Sequence, residues 1–361
     1  MEIAPIFQTD MRFYYKEAFS GMTKLIGDPL SDGVRLEDVA RAAGVGVSTV
    51  SRALNNPDRV NAKTRQHVQS VAMSMGYSGN LAARRLRSGL SHVILVVLPS
   101  FRGSDVLAPA LRAIDAKLME AGYSTIFGVL SQGQADPRII RMARGGFVDG
   151  ILAITNEPPR QNAELSILPA NLPSVGLLVD LTRFGIPSLV TAEHEAMSVM
   201  TAELIRRGRR RIAYVSGPPS YHETQRYAGF HEAIEQSREA VEEIFLPGDY
   251  EKESGAEAAR QILAMSHRPD ATVLTNDYMA LAFMHTLRDA GVKVPEQMAV
   301  TGFDDIWSSA LSSPPLTTYR QPMERLGREA AQLLTEILAG NGEVEVTCRM
   351  LRGEFCIRGS I

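Results

Sequence analysis

The sequence predicts a small three-helix unit, a short connecting helix, and a large α/β core built as two parallel-sheet lobes. Three observations carry this. Residues 36–55 read as two short helices around a glycine turn. From Ser91 onward, apolar runs of strand length alternate with stretches of helical periodicity, and the whole alternation occurs twice. Charge is segregated as well. Residues 31–90 hold nine Lys/Arg against four Asp/Glu, a net +5, whereas residues 1–30 carry −1 and residues 91–361 carry −7. A basic head on an acidic body fits phosphate neutralisation by one end and repulsion of nucleic acid by the other.

With 361 residues the chain is long enough for two or three domains. No apolar run approaches the ~20 residues that span a bilayer, so no membrane partner is expected. Glu2, Asp10, Lys16 and Glu17 interrupt the N-terminus, which therefore lacks a secretory apolar core. Cys348 and Cys356 are too few for a disulfide framework; they read as inert residues of the last strands in a reducing cytoplasm. Residues 1–30 show no clear period and form an extension to which no function is assigned.

The head begins with Leu36, Val39, Ala40 and Ala43, spaced as one apolar helix face. Gly44-Val45-Gly46 breaks that helix with two residues that tolerate positive φ. A second helix starts near Val47. Val50, Ala53 and Leu54 give it an inward face, and Ser48, Ser51, Arg52 and Asn55 an outward one. This is a helix-turn-helix pattern whose small, polar outward face, with one arginine, suits a DNA major groove. Any helical hairpin on a protein surface shares the bare pattern, so the residues that follow matter. Residues 61–76 form a third helix with Val68, Val71, Ala72 and Met75 on one face, and Asn80-Leu81-Ala82-Ala83-Arg84-Arg85-Leu86-Arg87 comes next.

Ala40-x-x-Ala43-Gly44-Val45, Thr49-Val50-Ser51-Arg52-x-Leu54-Asn55, Thr64-Arg65, Gly76-Tyr77 and Asn80-x-x-Ala83-Arg84-x-Leu86-Arg87 together resemble the lactose-repressor/galactose-repressor family of bacterial transcription regulators. The resemblance covers roughly residues 35–358. It implies DNA contacts from Val47, Ser48, Thr49, Ser51, Arg52 and Asn55 on the recognition helix. It also implies contacts from Ala83, Arg84, Leu86 and Arg87 on a hinge helix. An eight-residue helix is too short to persist in water. By the resemblance it orders on DNA against its twin from a second subunit, with Ala83 close to the groove floor and Leu86 wedged between base steps. The alternative is a solvated linker with Leu86 packed on the body. The implied partners are a palindromic double-stranded operator, a second copy of the chain, and a small effector. No heptad run follows Leu338, so a dimer is expected. Two departures stand out: Arg35 where the family commonly has a capping Thr, and Gly46 where it commonly has Ser.

In the core, 93–98 is a continuous apolar run, as in a strand buried on both faces. Leu107, Leu111, Ile114 and Leu118 repeat at helical spacing, and strands at 124–129, 148–154 and 175–179 enclose a helix at 137–144. A second run contains a helix ending at Arg207-Gly208, strands at 211–217, 244–246, 271–275 and 298–303, and helices at 224–234, 251–265 and 277–290. The two runs resemble the two-lobed periplasmic-binding-protein fold. By that analogy the chain crosses between lobes near 190, 320 and 350, and a helix over 322–338 returns to the first lobe. The expected organisation is an extension at 1–30, a head at 31–79, a hinge at 80–90 and an effector-binding and dimerisation core at 91–361. Lobe 1 then comprises about 91–190 and 321–350, and lobe 2 about 191–320 and 351–361.

Ligands of open α/β sheets bind beyond the carboxyl ends of the strands. Asp304, Asn276 and Tyr250 follow predicted strands, and Arg226 opens a helix. All four match effector-contact positions by their local motifs. A carboxylate accepts hydroxyl donors, a guanidinium donates a fork, and an aromatic ring covers an apolar face. The set suits a carbohydrate or a sugar acid; the alternative is a buried Arg226–Asp304 ion pair of structural use. Asp105 lies in a segment that departs from the family pattern, and either faces the ligand or sits in a rim loop. Ala192-Glu193 replace the commoner Asp-Asn near the first crossing. His194, His222 and His231 have no metal-like spacing and read as surface or capping residues. There is no Gly-x-Ser-x-Gly elbow, no His-Glu-x-x-His, no Walker loop and no Gly-x-Gly-x-x-Gly after a strand, so no catalytic residue, metal or cofactor is expected. The reading is an effector-controlled, non-enzymatic DNA-binding repressor. The rival is a solute-binding protein serving a transporter, which needs an export signal and has no use for residues 35–87.

Overall fold

The computed structural model describes residues 34–55, 59–77, 90–99, 104–131, 134–156, 172–340 and 345–361. They belong to two compact units, Met1–Gly89 and Leu90–Ile361. Ala83, Arg84, Leu86 and Arg87 of the expected hinge helix lie outside the described residues, as does the extension.

In the first unit, α1 (Leu36–Ala43), α2 (Val47–Asn55) and α3 (Ala62–Ser74) surround one small core. Val39, Val50, Ala53 and Val68 are fully buried there, and Ala40, Ala43 and Ala72 nearly so. Alanines at the crossings let three short helices approach closely, so few side chains suffice. Only one of the two turn glycines uses its conformational freedom: Gly44 takes φ 64° and closes α1, whereas Gly46 stays out of the left-handed region. The Gly46 carbonyl instead accepts the first amides of α2, from Thr49 (2.8 Å) and Val50 (3.1 Å). Asn61 caps α3 by accepting the Thr64 amide at 2.8 Å.

The second unit holds a seven-stranded sheet in the order β12-β6-β5-β4-β1-β2-β3. Its strands are β1 (Val93–Leu98), β2 (Ser124–Ser131), β3 (Gln134–Ala135), β4 (Gly150–Ile154), β5 (Ser174–Leu177), β6 (Ser188–Thr191) and β12 (Cys348–Leu351). All neighbours are parallel except β2 and β3. Alternate residues of β1 serve the two faces. Ile94, Val96 and Leu98 pack with α4 (Ser104–Glu120) and α10 (Met323–Leu338), while Leu95 and Val97 join Ile139 and Ala143 of α5 (Pro137–Arg144). That two-sided burial is why the run is apolar throughout.

A four-stranded parallel sheet, β10-β9-β7-β8, forms the other lobe from β7 (Arg211–Val215), β8 (Glu242–Leu246), β9 (Ala271–Leu274) and β10 (Ala299–Thr301). Helices α6 (Glu193–Arg206) and α7 (Tyr221–Glu235) cover one face, and α8 (Lys252–Ala264) and α9 (Asp277–Asp289) the other. A two-stranded antiparallel ladder joins β11 (Thr318–Arg320) to β13 (Glu354–Cys356).

Some elements differ from the sequence expectation. No strand was expected at Ser188–Thr191, a four-residue run with too little length to show a period; it is β6, paired with both β5 and β12. The strand expected over 175–179 stops at Leu177, because Leu178 turns to φ 71°. Cys348 opens β12 and Cys356 closes β13; both are free thiols whose pKa burial raises, Cys348 to about 11. No described helix is long and apolar enough to cross a membrane.

Candidate functional site

On α2, Val47, Ser48 and Arg52 are exposed and Thr49 and Ser51 half-exposed, on the side opposite the buried Val50 and Ala53. Asn55 closes the helix. This follows directly from the spacing, since residues a helical turn apart share a face.

In the second unit, the carboxyl ends of β6, β7, β9 and β10 converge on a buried polar cluster. Glu193 is the first residue of α6, two positions after β6 ends. Its Oε1 accepts from Arg226 Nε (3.1 Å) and Nη2 (2.6 Å), and its Oε2 meets His222 Nδ1 at 2.9 Å. Arg226 Nη1 donates to the Thr275 carbonyl at 2.6 Å, and the guanidinium lies over the Phe303 ring at 4.0 Å from its centroid. Burial pushes the Glu193 carboxyl up, but the Arg226 guanidinium and the His222 imidazole outweigh burial and hold it at about 2. The same partnership keeps Arg226 protonated despite its burial.

Asp304 follows β10 with φ 110°, a conformation in which a non-glycine residue is strained. Its Oδ1 accepts from Gln321 Nε2 at 2.7 Å, and Gln321 Oε1 accepts from the Thr191 hydroxyl at 2.8 Å. Asp304 is thereby linked to the end of β6 and to the residue after β11. Burial pushes its carboxyl up to about 6, against the pull of Arg226 and Gln321. The alternative of an Arg226–Asp304 ion pair is not what forms: Arg226 hydrogen-bonds Glu193, and Asp304 feels Arg226 only through its charge.

Asn276 spends its amide on structure. Its Oδ1 caps α9 through the Met279 amide (2.9 Å), and its Nδ2 donates to the Tyr250 carbonyl (2.8 Å). Tyr250, at φ 69°, lays its hydroxyl 3.4 Å from both Ser220 Oγ and Glu223 Oε2. Glu223 also accepts from the Tyr214 hydroxyl (2.5 Å) and the Gly217 amide (2.8 Å). Asp105, on α4 of the first lobe, lies near the Tyr278 hydroxyl on α9, whose pKa is raised by burial and then by the Asp105 carboxylate, so it faces the second lobe. Beside it, Asp277 accepts from Thr318 Oγ1 (2.6 Å), Ser309 Oγ (2.6 Å) and the Ile306 amide (3.0 Å).

Asp304, Arg226, Asn276 and Tyr250 thus share one neighbourhood at the strand ends of the second lobe, with Asp105 of the first lobe near it. Glu193, His222, Gln321 and Glu223 were missed. His222 is not a surface residue but a partner of buried Glu193. Only the replacement of the family's usual Asn by Glu193 signalled this cluster. His194 and His231 do sit at the surface, with Glu232 and Glu243. Among the described residues no group of His, Cys, Asp and Glu could hold a metal ion.

A helix-turn-helix unit followed by a two-lobed core, with a buried polar cluster between strand ends, defines a ligand-responsive type of regulator. Comparison with known proteins agrees. Residues 35–80 match the bacterial regulatory proteins of the lacI family, and residues 201–361 match the periplasmic binding protein-like domain. The chain is 31% identical over 336 residues to the HTH-type transcriptional repressor CytR of Escherichia coli (strain K12), covering 90% of this chain and 95% of CytR. It is 30% identical over 320 residues to the HTH-type transcriptional regulator CelR of Thermobifida fusca, covering 84% and 92%. Among solved structures, the lac repressor dimer bound to operator and the anti-inducer ONPF superposes with a TM-score of 0.80 at 26% identity, over 91% of this chain and 99% of that one. The CelR–cellobiose complex does so with a TM-score of 0.65 at 28% identity, again over 91% and 99%. The chain belongs to the LacI family of bacterial transcription regulators.

Proposed function

We propose that the protein is a homodimeric repressor that grips a near-palindromic operator, with a small hydroxyl-rich effector of the carbohydrate class, bound between the lobes, setting how tightly. The observation that carries this is the Thr191–Gln321–Asp304 chain of hydrogen bonds. It joins a half-buried carboxylate, whose second oxygen has no hydrogen-bond partner among the described residues, to two of the segments that pass between lobes. A ligand that donates to Asp304 pulls on those segments, and a coupling of a few kcal/mol is enough to change occupancy tens-fold. The lac repressor and CelR structures, one a dimer on operator and the other holding cellobiose, support the reading by analogy. Trp307 and Leu311, about three-quarters exposed just after Asp304, offer an apolar surface for the second copy.

On DNA, Val47, Ser48, Thr49, Ser51, Arg52 and Asn55 read the major groove, and Ala83, Arg84, Leu86 and Arg87 form the hinge contacts. Arg52→Ala is expected to weaken operator binding by about ten- to a hundredfold, the value of one good arginine–base contact, without changing the melting of the core. Fluorescence anisotropy across a salt series measures it; unchanged affinity would remove Arg52 from base reading.

The effector site has its own pH signature. Asp304 is a better acceptor when ionised, so effector affinity should fall as pH drops through about 6. Asp304→Asn should flatten that profile and weaken the effector by about tenfold or more. Stability of the free core runs the other way. Folded Asp304 holds its proton more tightly than the unfolded chain does, so its contribution is complete below about pH 4 and lost as pH rises through about 6. Glu193 opposes this at lower pH, losing its contribution as pH falls from about 4.5 toward 2. Operator release and thermal melts between pH 5 and 8 would separate the two trends; parallel trends would refute the assignment.

A further inference from the structure

We propose that Glu193 sets the charge class of the effector, so that the cleft admits a molecule bringing O–H or N–H donors and no negative charge, and turns away carboxylates and phosphates. This rests on the effector-cleft reading above and narrows it: of a carbohydrate and a sugar acid, the geometry points to the first.

Arg226 is the residue that an anionic ligand would need, and three of its five N–H donors already serve protein acceptors. Its Nε and Nη2 both donate to Glu193 Oε1, its Nη1 donates to the Thr275 carbonyl, and Phe303 covers one face of the guanidinium. Arg226 and Glu193 are both almost completely buried, so the pair is little screened by water. His222 holds the other Glu193 oxygen and fixes the carboxylate in place. An incoming anion would have to displace a carboxylate that shares the same helix–helix contact and cannot diffuse away.

The remaining charges also oppose an anion. Those bearing on Asp304 are Arg226, Glu193 and Asp105, one cation against two anions, and Asp304 is itself a third carboxylate. Asp277 and Glu223 lie close by, each engaged with hydroxyl and amide donors. A site this rich in acceptors is completed by donors. The hydroxyls of a neutral sugar or the ammonium of an amino sugar supply them; a uronic acid adds a further negative charge.

The test uses the full-length protein and the matched compounds D-glucose, D-glucosamine and D-glucuronate, with inorganic phosphate as a minimal anion, read by calorimetry and thermal shift. For the wild-type chain, D-glucuronate and phosphate should neither bind nor raise the melting temperature. In Glu193→Gln, which keeps the size and the acceptor but drops the charge, both anions should gain at least about tenfold in affinity. Glu193→Asn, carrying the residue common in the family, should gain in the same direction and guards against a folding artefact in the first variant. Anion binding by the wild-type chain that disappears in Arg226→Met would overturn the inference while leaving the cleft reading intact. Glu193 variants that fold but gain no anion affinity would overturn it equally. Failure of the cleft reading shows separately, as operator affinity that no neutral or amino sugar in a wider library alters.

Discussion

Glu193→Ala is expected to destabilise the core by about 3–5 kcal/mol, the usual cost of leaving one half of a buried ion pair without its partner. Arg226 would keep its charge, since no neutral form is accessible to a guanidinium, and would retain only the Thr275 carbonyl as hydrogen-bond acceptor among its present partners. His222 would lose its carboxylate as well. The double variant Glu193→Ala/Arg226→Met should recover most of the loss, because no isolated charge then remains buried. Urea denaturation of the two variants and the wild-type chain checks this. A single variant as stable as wild type would show that the pair contributes nothing and that water reaches Arg226 freely.

Gly229→Ala should be comparably damaging for a steric reason. Gly229 lies where α7 crosses α6, and a β-carbon there would stand 1.9 Å from the His194 carbonyl oxygen. The obstacle is backbone and cannot rotate aside. The other close helix pairs are built alike: a β-carbon at Gly255 of α8 would stand 2.2 Å from the Met279 carbonyl oxygen, and one at Gly327 of α10 would stand 2.3 Å from that of Ala110. Overpacking costs about 1–3 kcal/mol where side chains can yield, and more where they cannot. Because α6 begins with Glu193, Gly229→Ala should also shift the polar cluster and blunt the effector response. Glu235→Ala, on the exposed end of α7, should stay within about 0.5 kcal/mol of wild type. Equal melting of the two variants would show that α6 and α7 can separate at little cost.

What local order can encode was legible in the chain. Leu36, Val39, Ala40 and Ala43 define a helix face within eight residues, and the outward set on α2 follows from the same period. Val93 to Leu98 announces a strand buried on both faces. Residues at strand ends, such as Asp304 and Asn276, could be found because an α/β sheet always brings those ends to one side. The pairings themselves could not. Glu193 and Arg226 are 33 positions apart, and Thr191 and Gln321 are 130 apart; no periodicity relates such positions. Arg226 had two carboxylates within its electrical reach, and the close crossing of α6 and α7 through Gly229 gave its hydrogen bonds to Glu193. Residue types and helix or strand periods are properties of neighbours along the chain, so the amino-acid order specifies them directly. Which charge neutralises which depends on distances that exist only after the helices have packed on their sheet.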